Sequence, residues 1–311
     1  MRYFLSFLFA GFLFGHLGAQ ITVNNAPTAQ QLAELLAGSN LVVSNATLTG
    51  AGTAHGSFAN GNLNLGMTSG VILSTGLVST APGPNSAGNT SNQLGTAGTA
   101  QMTTLAGAQT YDAITLEFDF TVQSDFIQFN YVFASEEYPE YAPPNNSSFN
   151  DVFAFFISGP GITGEENIAL IPNTSTAVAI NNINAITNNQ YYIDNTGGTE
   201  VSFDAFTTLL TARKDGLTPC STYHLKLVIA DAGDQKYNSA VFLQENSLVQ
   251  GIVDVNTNTI NSDNIALEGC IQASFTFSLD QPSLVDKTIN YQIAGTATNG
   301  VDYSPIASSL T

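Results

Sequence analysis

The residues of this sequence best suited to chemistry are acidic side chains gathered in one stretch. Glu136, Glu137 and Glu140 lie close together, and Asn150 and Asp151 follow after a short Pro- and Asn-containing segment. Only 10% of all residues are charged, so this is a concentration of acid. Carboxylate and amide oxygens are the ligands that Ca²⁺ takes, in flexible geometry. We therefore predict a calcium site here; the alternative is that each carboxylate is an ordinary solvated turn residue or helix cap.

A second acidic turn further along the chain adds possible ligands. Asp231 and Asp234 follow the apolar strand predicted over Thr222–Ile229. They reach the first group only if this strand lies beside the one predicted over Val152–Ile157, which the sequence leaves open. In that case we expect Ca²⁺ to hold the loop against the turn and fix a display surface. The ion would stabilise the fold because it binds the native state.

Residues for catalysis are few. Apart from one in the N-terminal segment, the histidines are His55 and His224. They are isolated, so a histidine zinc site or a Ser-His-Asp triad has little to be built from. A glycosidase needs only two carboxylates and remains an alternative. Glu136 and Glu137 weaken it, because neighbours in an extended segment point to opposite faces. We expect the chain not to be an enzyme.

The elements that must position these side chains begin with one short N-terminal helix. Thr28 has capping-box spacing to Gln31. Leu32, Leu35 and Leu36 form an apolar stripe, and Gly38 ends the helix. Almost everything after this helix has the composition of strands and turns.

The strands predict the fold class. Apolar and polar residues alternate in Ile114–Val122, as in a strand with one buried face, and Phe126–Phe133 is predicted to be its hairpin partner. Val152–Ile157 is an unbroken apolar run, typical of a strand covered on both sides. Shorter strands are predicted at Leu41–Leu48, Gly70–Leu73, Ile168–Ile171, Ala177–Ile180, Tyr191–Ile193, Phe206–Thr211, Thr222–Ala230 and Ser239–Gln244. The polar tract Ser79–Gly98 is predicted to be a long exposed loop. This pattern favours an all-β, jelly-roll-like antiparallel β-sandwich.

The chain is predicted to have four parts. Residues 1–20 have the charged start, short apolar run and small-residue exit of a signal peptide. Residues 21–250 form the sandwich, and 251–262 are a polar linker. Residues 263–311 form a partial immunoglobulin-like β-sandwich, since such domains need about 100 residues. We expect the chain to stop inside this second domain.

Charge restricts the partners. The 6 Lys and Arg residues against 24 Asp and Glu residues give a net charge of -18. Such a surface repels nucleic acid and anionic lipid and suits divalent cations. We expect no direct membrane span after signal removal, because no second apolar stretch follows.

The two cysteines are Cys220 and Cys270, in a chain predicted to enter an oxidising compartment. They are a candidate disulfide. The alternative is that each finds another partner or stays a small buried thiol.

Four stretches, in a fixed order along the chain, carry a family likeness. Residues 133–141 read FASEEYPEY and residues 149–161 read FNDVFAFFISGPG, while residues 222–234 read TYHLKLVIADAGD and are followed by SAVFL. Together they resemble the signature of the choice-of-anchor L domain, over roughly Gln30–Leu248. This family is known from bacterial secreted and surface proteins with differing C-terminal anchoring signals. The resemblance implies export and attachment to the cell surface through a C-terminal signal absent from this chain, and it supplies no catalytic residue.

The tail resembles the start of a Calx-beta-type module, at Glu268–Gly269 and from Asn290 to Tyr303. Acidic positions of such modules bind calcium. The resemblance therefore implies a second candidate calcium site at Glu268 and Asp302.

These observations predict a secreted or surface-anchored bacterial binding or adhesion module, stabilised by calcium and non-catalytic. Its partner is expected to be an unidentified cell-surface glycan or protein. A carbohydrate-binding module is the alternative, with Tyr138 or Tyr141 as exposed aromatic residues. A glycoside hydrolase using paired carboxylates is the second alternative.

Overall fold

The computed structural model describes residues 20–38, 41–62, 64–145, 148–248, 253–259, 273–279, 288–291, 293 and 295–310. The helices are α1 (Ala29–Ala37) and α2 (Ala100–Ala106). The strands are β1 (Thr22–Asn24), β2 (Val43–Thr49), β3 (His55–Ala59), β4 (Gly70–Ser74), β5 (Thr110–Thr121), β6 (Phe126–Ser135), β7 (Val152–Ser158), β8 (Glu166–Asn167), β9 (Tyr192–Asp194), β10 (Ala205–Thr207), β11 (Leu210–Asp215), β12 (Thr222–Ala232), β13 (Ser239–Gln244), β14 (Val253–Thr259), β15 (Ala273–Leu279), β16 (Ile289–Asn290) and β17 (Ser309–Leu310).

Two antiparallel sheets form a sandwich. The first has the order β1-β3-β4-β13-β6-β10-β9, with β11 also paired to β6, and the second has the order β2-β5-β12-β7-β8. Their inner faces meet in an apolar core, in which the rings of Tyr131 on β6 and Phe153 on β7 lie 5.3 Å apart. The predicted all-β sandwich is confirmed. In the tail, β14 pairs with β15 and β16 pairs with β17.

The N-terminal helix is confirmed with its cap. The Thr28 hydroxyl accepts a hydrogen bond from the Gln31 backbone N–H, and the Gln31 side chain accepts one from the Thr28 backbone N–H. Leu32 and Leu36 bury the apolar stripe against the core. Gly38 follows with a positive φ of 64° and caps the helix, as such a backbone conformation favours.

Three expectations about the elements were wrong. β6 is not the hairpin partner of β5: it lies in the other sheet, between β13 and β10, while β5 lies between β2 and β12. Apolar alternation marks a buried face but does not say which sheet carries it. The strand predicted over Phe206–Thr211 is divided between β10 and β11, and the strands predicted at Ile168–Ile171 and Ala177–Ile180 are reduced to isolated backbone bridges. The tract Ser79–Gly98 is a largely exposed loop, as predicted, and backbone bridges at Pro82 and Ala97 hold it in place.

Helix α2 was not predicted, because its residues follow a Gly- and Thr-rich tract. Thr99 caps it by accepting from the Met102 backbone N–H at 3.1 Å. Met102 is buried against the outer face of the second sheet, with Ala154 and Val228. This cover explains why β7 is buried on both faces, as its apolar run predicts.

Candidate functional site

Four strand ends meet at one rim of the sandwich. Ser135 at the end of β6 pairs with Ser239 at the start of β13. In the second sheet, Ala230 near the end of β12 pairs with Val152 at the start of β7. The adjacency of the β12 and β7 strands, left open by the sequence, is therefore confirmed. It brings the acidic residues that follow or precede these strands to the same rim.

Asp151 and Asp231 lie side by side in this rim. Asp151 is 1% exposed and Asp231 is 2% exposed. Asp151 Oδ1 accepts from the Ala232 backbone N–H at 2.8 Å, and its Oδ2 lies 2.6 Å from the Ser239 hydroxyl. The two carboxyl groups are within hydrogen-bonding reach of each other. Because two carboxylates lack a donor between them, this contact needs a proton or a cation.

Glu137 completes what we call the Asp151 cluster, defined as Glu137, Asp151 and Asp231. Its side chain is 1% exposed, and its Oε2 is buried without a hydrogen-bond partner, as is Oδ1 of Asp231. The Ser135 hydroxyl accepts from the Glu137 backbone N–H at 2.9 Å and so fixes the start of the loop.

Glu136 points elsewhere and forms a second acidic contact with Asp204. Glu136 is 1% exposed, and its carboxyl group is within hydrogen-bonding reach of Asp204. We call these two residues the Glu136 pair. The adjacent residues Glu136 and Glu137 thus serve different contacts, as expected of neighbours in an extended segment.

The sequence does not predict Asp204 as a site residue. It is an isolated acid in an apolar run, and nothing local distinguishes it from a turn residue. Its position follows from the pairing of Ala205 with Ser135, which sets β10 beside the end of β6. Such a long-range register is not visible in a single sequence.

The other predicted ligands lie outside the two groups or at their margin. The Asn150 side chain is used structurally, since its Oδ1 accepts from the Asn181 N–H at 2.9 Å and its amide donates to the Ala106 carbonyl at 3.3 Å. Asp234 is half-buried and Glu140 is exposed. Both nevertheless act on Glu137 through their charge.

Burial governs the electrostatics of the Asp151 cluster. Burial, with the charges of Asp151, Asp234 and Glu140, raises the pKa of Glu137 to about 9. Burial raises the pKa of Asp151 to about 7, although hydrogen bonds to its carboxylate oppose the shift. Burial and the Asp151 charge raise the pKa of Asp231 well above its usual range.

The Glu136 pair behaves similarly. Burial and the charge of Asp204 raise the pKa of Glu136 to about 8. Burial also raises the pKa of Asp204, against the hydrogen bond from Asn85.

Within the described residues, the ion pairs formed by basic side chains lie away from this rim. Arg213 pairs with Asp215, Lys214 and Lys226 pair with glutamates 166 and 165, and His224 lies between Glu117 and Asp119. No ion pair found in this part of the chain neutralises the rim carboxylates.

The arrangement does not amount to a complete metal site made of side chains. Among the residues described, no three His, Cys, Asp or Glu side chains are placed as a set of metal ligands. A calcium ion would therefore take its remaining ligands from hydroxyl groups, backbone carbonyls and water, which are normal for Ca²⁺.

The aromatic residues of the rim differ from expectation. Tyr138 is fully buried and its hydroxyl donates to the Ile183 carbonyl at 2.6 Å, so it is not an exposed sugar-stacking residue. Tyr141 is half-buried, and its ring lies 5.2 Å from Phe149 and 5.1 Å from Tyr237.

The remaining predicted positions are only partly covered. Glu268, Cys270 and the signal-peptide residues 1–19 lie outside the described residues. Asp302 is exposed and accepts from the Thr298 backbone N–H at 2.7 Å. Cys220 is exposed on a turn. The disulfide, the second calcium site and the Calx-beta resemblance stay predictions.

The fold and rim define a β-sandwich module whose distinctive chemistry is a set of buried carboxylates at one end. The chain belongs to the choice-of-anchor L domain family, whose model matches residues 21–249. Membership indicates a surface-associated bacterial module, and the family is not a known family of enzymes. Comparisons with curated proteins and with solved structures found no match. Among the helices described, none has the length and apolar character to cross a membrane.

Proposed function

We propose that this domain is a non-catalytic binding or adhesion module of the bacterial surface, in which Ca²⁺ bound at the Asp151 cluster stabilises the rim that meets the partner. The observation that carries the proposal is the pair of donor-less carboxylate oxygens, Glu137 Oε2 and Asp231 Oδ1, inside the fold.

Unpaired buried carboxylates are costly. An ionised carboxylate taken out of water needs a counter-charge or hydrogen-bond donors, or it takes up a proton instead. The described ion pairs lie elsewhere, so the cluster is neutralised by protons or by a cation from solution. Calcium is abundant outside cells and prefers such oxygen ligands.

The position of the cluster links an ion to the display surface. Asp151 precedes β7, Asp231 is the last residue but one of β12, and Glu137 lies near the start of the loop that leads to Tyr141. An ion shared by Glu137 and one of the two aspartates, with hydroxyl groups, backbone carbonyls or water as its other ligands, would tie the two sheets and this loop together. The loop then keeps one conformation before it meets a partner, which lowers the entropic cost of binding.

Hydrolysis is a poorer use of the same residues. The two carboxyl groups of a glycosidase stand about 5 Å or more apart and face a sugar. Asp151 and Asp231 are within hydrogen-bonding reach of each other and are only 1% and 2% exposed. Neither spacing nor access suits a glycosidic bond.

Glycan binding is the second candidate for the partner. The half-buried rings of Tyr141, Phe149 and Tyr237 pack together near Glu137 and Asp234. Aromatic faces beside carboxylates are suited to sugar rings and their hydroxyl groups. A glycan array probed with and without chelator, using Tyr141→Ala as the comparison variant, separates a glycan from a protein partner.

A thermal melt tests calcium binding. At a Ca²⁺ concentration about 100 times Kd, stabilisation of about 2.7 kcal/mol is expected over the protein in chelator. Asp231→Asn should remove the part of this shift that comes from the Asp151 cluster. Asp215→Asn, which removes one charge from an exposed ion pair, should keep it. An equal melting temperature with Ca²⁺ and with chelator would contradict the proposal.

A further inference from the structure

The Glu136 pair is separate from the Asp151 cluster and has its own cover. Residues 85–92, which we call the strap, cross above it. The Asn85 side chain donates to Asp204 Oδ1 at 2.9 Å, and the Thr90 backbone N–H donates to Glu136 Oε2 at 3.4 Å. Each carboxylate of the pair is therefore held by the strap through one oxygen.

The other oxygen of each carboxylate has no donor. Glu136 Oε1 and Asp204 Oδ2 are both buried without a hydrogen-bond partner. Glu136 as a whole is 1% exposed, so bulk water does not satisfy it. The hydrogen-bond donors lie on one side of the two carboxylates, and the oxygens without a donor lie on the other side. These oxygens leave a position for a positive charge.

The strap leaves room beside Asp204. A Cβ at Gly88 would lie 3.2 Å from Asp204 Oδ2. The absence of a side chain keeps this side of the carboxylate open. Gly88 itself is exposed, so an ion has a short path from solvent.

We infer that the Glu136 pair is a divalent-cation position separate from the Asp151 cluster. It is suited to Ca²⁺, and the bound ion fastens the strap to the rim. Glu136 and Asp204 supply carboxylate oxygens, and backbone oxygens or water supply the rest. The inference shares with the proposed function the premise that this rim binds calcium, but it stands on different residues.

The strap also contacts the segment around Asn238, on the side of the strap away from the Glu136 pair. The Asn238 backbone N–H donates to the Thr90 carbonyl at 3.0 Å, and the Asn92 backbone N–H donates to Asn238 Oδ1 at 2.8 Å. Asn238 lies just beyond the acidic turn that carries Asp234. An ion at the Glu136 pair therefore holds the strap and, through it, the segment next to the Asp151 cluster.

The test is Ca²⁺ titration by calorimetry combined with amide hydrogen exchange of the strap. The wild type should bind at both positions, and Asp204→Asn and Asp231→Asn should each lose one bound ion. With Ca²⁺ at about 100 times Kd, exchange of strap amides should slow by up to about 100-fold. Asp204→Asn should lose this protection and Asp231→Asn should keep it.

The outcomes separate the two sites. Unchanged stoichiometry and strap protection in Asp204→Asn would overturn this inference while leaving the Asp151 cluster intact. Loss of an ion in Asp204→Asn alone would support the inference and overturn the proposed function. No Ca²⁺ binding by the wild type would overturn both. Circular dichroism and unchanged exchange in the core show that each variant is folded, and Asp215→Asn controls for the loss of one charge.

Discussion

Two sets of buried carboxylates in this domain are equally hidden from water but differ in their donors. Asp112 is fully buried, and its two oxygens accept from the backbone N–H groups of Thr96 at 2.6 Å and Leu94 at 3.0 Å. Glu200, 2% exposed, accepts from the backbone N–H groups of Asn62 and Leu65. These two acids hold loops in place.

The rim carboxylates have donors for only some of their oxygens. Glu137 Oε2, Asp231 Oδ1 and Glu136 Oε1 have no partner. Burial of an acid does not by itself indicate a site, because each carboxylate oxygen of Asp112 and Glu200 accepts from a backbone N–H. A buried acid needs a proton or a cation when its oxygens outnumber the donors around them.

The largest effect is expected for Asp112→Ala. The change leaves the part-buried N–H groups of Leu94 and Thr96 without an acceptor, so stability should fall by about 1–3 kcal/mol for each of the two donors. Urea denaturation measures the loss. It should be the same with Ca²⁺ and with chelator, and restoration by Ca²⁺ would mean that Asp112 belongs to the ion site.

Asp231→Asn should have the opposite sign in chelator. Neutralising one member of a crowded acidic pair relieves repulsion, so apo stability should stay constant or rise. The stabilisation by Ca²⁺ at the Asp151 cluster, about 2.7 kcal/mol at about 100 times Kd, is lost. Paired denaturation curves measure both terms. A large loss of apo stability would mean that Asp231 holds a loop in place, as Asp112 and Glu200 do.

The pH dependence sharpens the same contrast. A carboxyl group whose pKa is raised on folding stabilises the fold fully below its unfolded value and loses that contribution as pH rises through the folded pKa. For Glu137 this interval runs from about 4.5 to about 9. Without calcium, stability should therefore fall across it, by up to about 1.4 kcal/mol per pH unit for each proton retained.

Calcium should flatten this fall, because the ion replaces the protons. Denaturation curves at several pH values, in chelator and in Ca²⁺, measure the difference. Glu137→Gln should reduce the slope in chelator. If Ca²⁺ left the slope of stability against pH unchanged, the titration of Glu137 would be independent of ion binding, which would contradict this prediction.

The smallest effect is expected at His224, on the outer face of the second sheet. Partial burial lowers its pKa, but hydrogen bonds with Asp119 and Glu117 raise it to a value above 6.5 overall. Its contribution is complete below 6.5 and is lost as pH rises through the folded pKa.

Since the His224 side chain is 36% exposed, solvent screening limits the contribution to less than about 1 kcal/mol. His224→Gln should lower stability at acidic pH only, as measured by urea denaturation. A Ca²⁺-dependent effect would contradict a purely local role.

Much of the architecture could be predicted from local pattern. The capping box at Thr28, the unbroken run of β7 and the alternation of β5 are short-range signals, and each produced the element expected. The Asp151 cluster could be anticipated because acids at strand ends gather at a rim, provided that β12 and β7 are neighbours.

The other features of the fold and the site depend on strand register and on which residues pack over one another in the folded chain. The placement of β6 in the other sheet, and hence the meeting of Glu136 with Asp204, follows from long-range pairing that has no local sequence pattern. Tyr138 looks like an accessible aromatic residue in a polar loop, yet its hydroxyl is buried against Ile183. Neither the tyrosine nor its neighbours in sequence predict that contact.

Calcium titration by calorimetry in buffers of different ionisation enthalpy tests the central claim most directly, because it counts bound ions and released protons together. The account predicts saturable Ca²⁺ binding near neutral pH with release of protons, weakened in Asp231→Asn and retained in Asp215→Asn. Absence of binding, or binding that survives Asp231→Asn unchanged and releases no protons, would contradict it.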